Sequence, residues 1–98
     1  LGEAVKLEWS AAALADLDRF AAFLHDRHPR LAAIVAAEIQ AKAAILSEHP
    51  QIGRPMAGRP EFRELILDVL NARYVFRYGY DGERLVMLRV FHGRELRE

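Results

Sequence analysis

The amino-acid sequence predicts an α+β domain in which an antiparallel two-helix hairpin packs on a mainly antiparallel sheet, in the order β-α-α-β-β-β. Two runs with apolar side chains at helical spacing follow one short alternating segment, and three further strand-like segments come after them. Strands grouped after helices indicate an α+β fold rather than alternating parallel units. A length of 98 residues predicts one domain, covering residues 1–98.

The first predicted elements are a short strand and an amphipathic helix. Residues 4–9 alternate between apolar and polar side chains, which is typical of a half-buried strand. Ser10 follows, and its hydroxyl is expected to accept a backbone N–H from the first turn of the helix. The apolar stripe of that helix is Ala13, Leu17, Phe20, Ala21 and Leu24. The polar side is assigned Asp16, Asp18, Arg19 and Asp26.

The second helix is predicted over residues 29–48. Pro29 ends the first helix and can open the second, because proline is tolerated at the first helical position. The apolar stripe is Leu31, Ile34, Val35, Ile39, Ile45 and Leu46. A short break between the helices makes them antiparallel neighbours. Residues 51–60 are rich in glycine and proline, which predicts a loop.

Three strands are predicted after this loop, over residues 62–70, 73–80 and 84–91. The middle strand places its aromatic side chains on one face, and they are Tyr74, Phe76, Tyr78 and Tyr80. This aromatic face is expected to belong to the core, with a partner-binding surface as the alternative. Residues 92–98 are interpreted as a polar tail.

The turn between the last two strands decides which arginines share a face. Asp81-Gly82 read as a two-residue turn would place position 74 opposite position 89. Arg73 and Arg89 would then point to opposite faces, whereas a bulge or a longer turn would reverse this relation. These two arginines form, with Arg77, His92, Arg94 and Glu95, the main polar cluster that the predicted strands bring together.

Composition excludes several kinds of site. The chain has no cysteine, so it has no disulfide, no thiolate zinc site and no cysteine nucleophile. His25 and His28 are assigned to a helix C-terminus rather than to a metal, and Ser10 and Ser47 to structural roles. Neither a metal nor a cofactor is expected. Apolar runs are too short for a membrane span, and a cytoplasmic protein is predicted.

The balance of charge also bears on partners. Basic and acidic side chains number 14 each, so the formal net charge is zero. Affinity for nucleic acids normally draws on an excess of positive charge. We therefore expect no direct DNA binding by this chain alone. The cations of the second half are nevertheless all arginines, which suit carboxylates and phosphates.

Three segments together resemble the RelE/ParE superfamily of toxins. They are His49-Pro50-Gln51-Ile52-Gly53-Arg54-Pro55, Arg63-Glu64-Leu65 and Val90-Phe91-His92-Gly93-Arg94-Glu95, in the order β-α-α-β-β-β. The resemblance covers nearly the whole chain. It implies a growth-arresting toxin of a type II toxin–antitoxin system, held inactive by an antitoxin that folds onto it. ParE-like members poison DNA gyrase, whereas RelE-like members cut messenger RNA on the ribosome.

The resemblance favours the ParE-like branch, with DNA gyrase as target and a ParD-like antitoxin as partner. The His-Gly-Arg ending is similar to that branch, and no tyrosine follows His92, where ribosome-dependent nucleases commonly place one. In the RelE-like alternative, Arg73, His92 and Arg94 are the catalytic candidates. The proposed antitoxin-binding residues are Phe23, Tyr74 and Tyr78.

Overall fold

The structure is a computed structural model that describes residues 4–96. Its helices are α1 (Ala11–Leu24), α2 (Pro29–Ala43) and α3 (Ile45–Glu48). Its strands are β1 (Leu7–Trp9), β2 (Arg54–Met56), β3 (Arg59–Val69), β4 (Ala72–Tyr80) and β5 (Leu85–His92), and a 3₁₀ turn over Gly93–Leu96 follows. The five strands lie in the order β1-β5-β4-β3-β2. Among residues 4–96, β1 and β5 form the only parallel pair, and the other pairs are antiparallel. The predicted α+β class with a mainly antiparallel sheet is therefore confirmed.

The ends of the helices follow the predicted local chemistry. The Ser10 hydroxyl accepts the backbone N–H of Ala13 at 3.0 Å and donates to the carbonyl of Leu88 at 3.0 Å, so one side chain caps α1 and ties it to β5. Pro29 stands at the start of α2. The prediction of one continuous second helix is wrong, because the chain turns at Ala44 before the short helix α3.

The core lies between the helical hairpin and one face of the sheet. Helices α1 and α2 pack against each other, and α1 also packs on β5. The buried apolar side chains come from every layer and include Ala13, Leu17, Phe20, Val35, Ile39, Leu46, Tyr74, Phe76, Tyr78, Leu85, Met87 and Val90. The aromatic face of β4 therefore belongs mainly to the core, as expected from its alternation.

Two predictions about the sheet are wrong. Residues 51–60 contain the three-residue edge strand β2, which pairs with β3 although Pro55 stands in it. The loop between β4 and β5 is longer than two residues, because Tyr80 pairs with Leu85, and a bulge follows beside Arg77. Arg77 consequently lies opposite Arg89. Arg73, four residues before Arg77 on the same strand, therefore shares a face with Arg89, as expected for the alternative of a longer turn or a bulge.

None of the helices in residues 4–96 is long and apolar enough to cross a membrane.

Candidate functional site

A surface groove of about 830 Å³ lies between α1, the β3–β4 turn and the chain after β5. Its lining residues are Arg19, Phe20, Phe23, Asn71, Ala72, Arg73, His92, Gly93, Arg94 and Glu95. The three residues predicted for catalysis in the RelE-like alternative, Arg73, His92 and Arg94, all line this groove. The structure therefore brings together residues that are up to 21 positions apart in the sequence.

The end of β5 folds tightly over the start of β4. Tyr74 pairs with His92 across the two strands, and Gly93 then passes close to the backbone of Arg73. A Cβ atom at position 93 would lie only 3.1 Å from the Arg73 carbonyl oxygen and 3.5 Å from its Cβ. Glycine in the His-Gly-Arg segment thus permits the approach that places Arg94 beside the groove.

Both His92 and Glu95 are held by the 3₁₀ turn. The backbone N–H of His92 donates to Glu95 Oε1 at 2.7 Å, and His92 Nδ1 accepts the backbone N–H of Arg94 at 3.2 Å. Because Nδ1 accepts a hydrogen bond, the proton of the neutral imidazole is assigned to Nε2. In this arrangement the ring offers a hydrogen-bond donor to the groove, and its lone pair is engaged with the backbone.

A chain of ion pairs connects the groove to a buried carboxylate. Arg19 of α1 pairs with Glu95, and it also donates to Asp16 Oδ1 at 2.9 Å. Asp16 is only 3% exposed. It accepts two bonds from Arg89, at 2.8 and 2.9 Å, and one from the backbone N–H of Val90 at 2.8 Å. Asp16 thereby joins helix α1 to strand β5, and Arg19 joins the same helix to the 3₁₀ turn.

The balance of forces on Asp16 keeps this carboxylate ionised. Its desolvation by burial would raise the pKa, but the hydrogen bonds from Arg89, Val90 and Arg19 and the charge of Arg89 together hold the pKa below the ordinary value of 3.8. The ion pairs raise the pKa values of Arg89 and Arg19 in turn. Asp16, Arg89 and Arg19 are therefore all charged at neutral pH.

Comparison with known proteins identifies the family. The family model of the ParE toxin of the type II toxin–antitoxin system parDE matches residues 7–97. The chain belongs to this ParE toxin family. It is 33% identical over 88 residues to a protein named Toxin RelE1 from Caulobacter vibrioides (strain ATCC 19089 / CIP 103742 / CB 15), covering 90% of this chain and 92% of that protein. Both matches place it in the RelE/ParE superfamily of toxins.

A solved structure shares the fold. A chain of the chromosomal ParDE toxin–antitoxin system from P. aeruginosa superposes with a TM-score of 0.73 at 21% sequence identity. The superposition covers 93% of the present chain and 98% of that chain.

The family segments outside the groove stabilise the toxin fold. The backbone N–H of Gly53 donates to the hydroxyl of Tyr78 at 2.9 Å, and a Cβ atom at position 53 would lie 2.7 Å from that oxygen. Arg63 donates to the carbonyls of Gln51 and Gly53, at 3.0 and 2.7 Å. Glu64 pairs with Arg77 at 2.6 Å. The segments 49–55 and 63–65 are thus explained by packing.

The aromatic residues predicted to bind the antitoxin differ in exposure. Tyr74 and Tyr78 are 4% and 0% exposed, so both side chains belong to the core of this chain, and their role in antitoxin binding stays a prediction. Tyr74 lies between Phe20 and His92, with ring centroids 5.2 and 5.3 Å apart, and its burial raises its pKa. Phe23, by contrast, is 83% exposed at the rim of the groove. Its role in antitoxin binding stays a prediction.

Asp16 is the important residue that the sequence interpretation misplaced. It was assigned to the polar side of α1, yet it is buried against β5. Ala13, Asp16 and Phe20 nevertheless recur at the spacing of one helical face. A carboxylate on an apolar stripe is a signal for a cationic partner on the element packed against it, and Arg89 is that partner.

Proposed function

We propose that this toxin acts by binding, that it inhibits DNA gyrase, and that a ParD-like antitoxin neutralises it. The family match and the fold shared with a chain of a ParDE system support the ParE-like branch. The observation that carries the proposal is that the two candidate proton acceptors of the groove already accept hydrogen bonds. His92 Nδ1 accepts the backbone N–H of Arg94, and Glu95 accepts bonds from Arg19 and from the backbone N–H of His92.

The remaining polar side chains in the groove suit recognition. Arg73 and Arg94 are exposed, and arginine binds planar anionic groups through two parallel hydrogen bonds. The exposed ring of Phe23 adds apolar surface beside them. Arginine and aromatic side chains are both enriched in the central part of protein interfaces.

The proposal is tested by the supercoiling of relaxed plasmid with purified gyrase. Toxin at micromolar concentration should reduce supercoiling, and addition of the antitoxin encoded beside the toxin gene should restore it. Unchanged supercoiling over a range of toxin concentrations would count against gyrase as the target. Loss of supercoiling that the antitoxin does not relieve would count against neutralisation by that partner.

Ribosome-dependent cleavage of messenger RNA is the second candidate, because Arg73, His92 and Arg94 converge on one groove. Attack of a 2′-hydroxyl on the adjacent phosphate requires a base, an acid and cations near the developing charge. The two arginines could stabilise that charge, and the Nε2–H of His92 could donate a hydrogen bond to a phosphate oxygen. Primer extension on translated messages should then reveal codon-linked cuts that disappear in Arg73→Ala; uncut messages would exclude this candidate.

A further inference from the structure

The groove combines cationic side chains with an exposed aromatic ring. We infer that it binds an acidic segment of the antitoxin, with carboxylates at Arg73 and Arg94 and an apolar side chain against Phe23. This inference rests on the proposed function, since it assumes that an antitoxin neutralises the chain. It adds which residues of the groove recognise that partner and what chemistry the partner must present.

The first support is the weak pairing of Arg73. Its Nε atom lies 3.5 Å from Asp68 Oδ1, and the two side chains are 68% and 69% exposed. An ion pair this open to water contributes little to stability. A carboxylate from a partner that shields the guanidinium from water can therefore replace Asp68 at small cost.

The second support is the state of Arg94. The structure holds its backbone, through the N–H bonded to His92 Nδ1, while its side chain is exposed. Within residues 4–96 its guanidinium forms no ion pair. A fixed backbone with an unengaged cationic side chain suits a partner carboxylate.

The third support is that Glu95, the acidic residue that lines the groove in the described part of the chain, is already neutralised. Glu95 is bonded by Arg19 and by the backbone N–H of His92. Arg19 is itself held by Asp16. The charge left for a partner is therefore positive, and an acidic segment is complementary to it.

The apolar part of the site is also exposed to water. Phe23 is 83% exposed, the highest value among the exposed large apolar side chains of the described residues. Phe20, one turn earlier on α1, is buried and forms the adjoining wall. An apolar side chain of the partner that packs on Phe23 would remove this ring from water, and such anchors dominate binding energy at interfaces.

A protein segment fits these features better than RNA. Binding of nucleic acid draws on contacts with many phosphates, whereas the groove offers two exposed arginines, of which Arg73 is weakly paired with Asp68, in a chain of zero net charge. A segment that folds on binding can satisfy two separated arginines and an aromatic ring together, because it wraps over the surface.

The test measures the affinity of the labelled antitoxin for the purified toxin at two salt concentrations. The double variant Arg73→Glu/Arg94→Glu is expected to weaken binding by about 100-fold or more and to reduce its salt dependence. Phe23→Ala should weaken it by about 10-fold or more. The matched control is Arg59→Glu, an exposed residue at the other end of β3, about 33 Å along the strand from Val69.

The outcomes separate this inference from the proposed function. Equal affinity of the antitoxin for wild type and for the double variant overturns the inference and leaves neutralisation intact. Absence of binding to the wild type overturns both. Arg73-dependent binding of a single-stranded RNA oligonucleotide, with unchanged antitoxin affinity, assigns the groove to RNA and also overturns the inference. Phe23 and both arginines are exposed, so thermal melting should confirm that all variants fold.

Discussion

Replacement of Asp16 by asparagine is expected to lower the free energy of unfolding by about 2–4 kcal/mol. The carboxylate is 3% exposed and accepts bonds from Arg89, Arg19 and the backbone of Val90. An asparagine amide has one oxygen to accept them, and its NH₂ group faces donors. At least one donor therefore loses its partner.

The magnitude follows from the exposure of the groups left behind. Removal of one partner of a buried ion pair costs about 3–5 kcal/mol. Here the side chains of Arg89 and Arg19 are 42% and 41% exposed, so water can solvate them again and the expected cost falls to about 2–4 kcal/mol. The buried N–H of Val90 cannot be solvated so easily, and its lost bond alone costs about 1–3 kcal/mol.

Urea unfolding followed by the fluorescence of Trp9, the single tryptophan, measures this loss. Asp18→Asn is the matched control, since Asp18 lies on the same helix with an exposed side chain, and it should change stability by less than about 0.5 kcal/mol. Equal stability of Asp16→Asn and Asp18→Asn would refute the reasoning.

The same pair predicts a pH dependence. Because the pKa of Asp16 is lowered in the folded state, its carboxylate stabilises the fold above the ordinary value of 3.8. That contribution is lost as the pH falls through the folded-state pKa. The difference in stability between wild type and Asp16→Asn should therefore stay constant from about pH 7 to about pH 5 and shrink below about pH 4. A difference that grows in acid would contradict the assignment.

Three further predictions concern packing and exposure. Tyr78→Phe leaves the N–H of Gly53 without its bond and should cost about 1–2 kcal/mol in urea unfolding, whereas Tyr74→Phe, with no side-chain hydrogen bond within residues 4–96, should cost less. Gly53→Ala places a Cβ 2.9 Å from the carbonyl of Glu64 and should lower the melting temperature by about 8 °C or more; an unchanged melting temperature would contradict this contact. Phe23→Ser should raise the solubility of the toxin expressed without its antitoxin, measured by sedimentation of lysates; equal pellets would argue against the exposed ring as the cause.

Much of the fold could be predicted because its signals are local. Ser10 caps α1 and Pro29 opens α2, as their chemistry requires. The strand β2 was missed because three residues around Pro55 carry no alternating pattern, and a proline is tolerated there only at the edge of the sheet. The register of β4 and β5 was wrong because Asp81 closes a longer loop, in which its side chain accepts the N–H groups of Glu83 and Arg84.

The groove could be predicted only in part. Arg73, His92 and Arg94 were identified from the resemblance to RelE-like nucleases, and strand pairing brings them together. The ion pairs beside the groove join residues that are distant in sequence, namely Asp16 with Arg89 and Arg19 with Glu95. Such pairs depend on how α1 lies on the sheet, and helical periodicity alone does not give that orientation.

The most direct test of gyrase as the target is the superhelical density of a reporter plasmid after induction of the toxin. A gyrase inhibitor should shift the topoisomers toward relaxation within the first generation time, and co-induction of the antitoxin should prevent the shift. An unchanged topoisomer ladder in cells that have stopped growing would contradict the central claim and direct attention to messenger RNA.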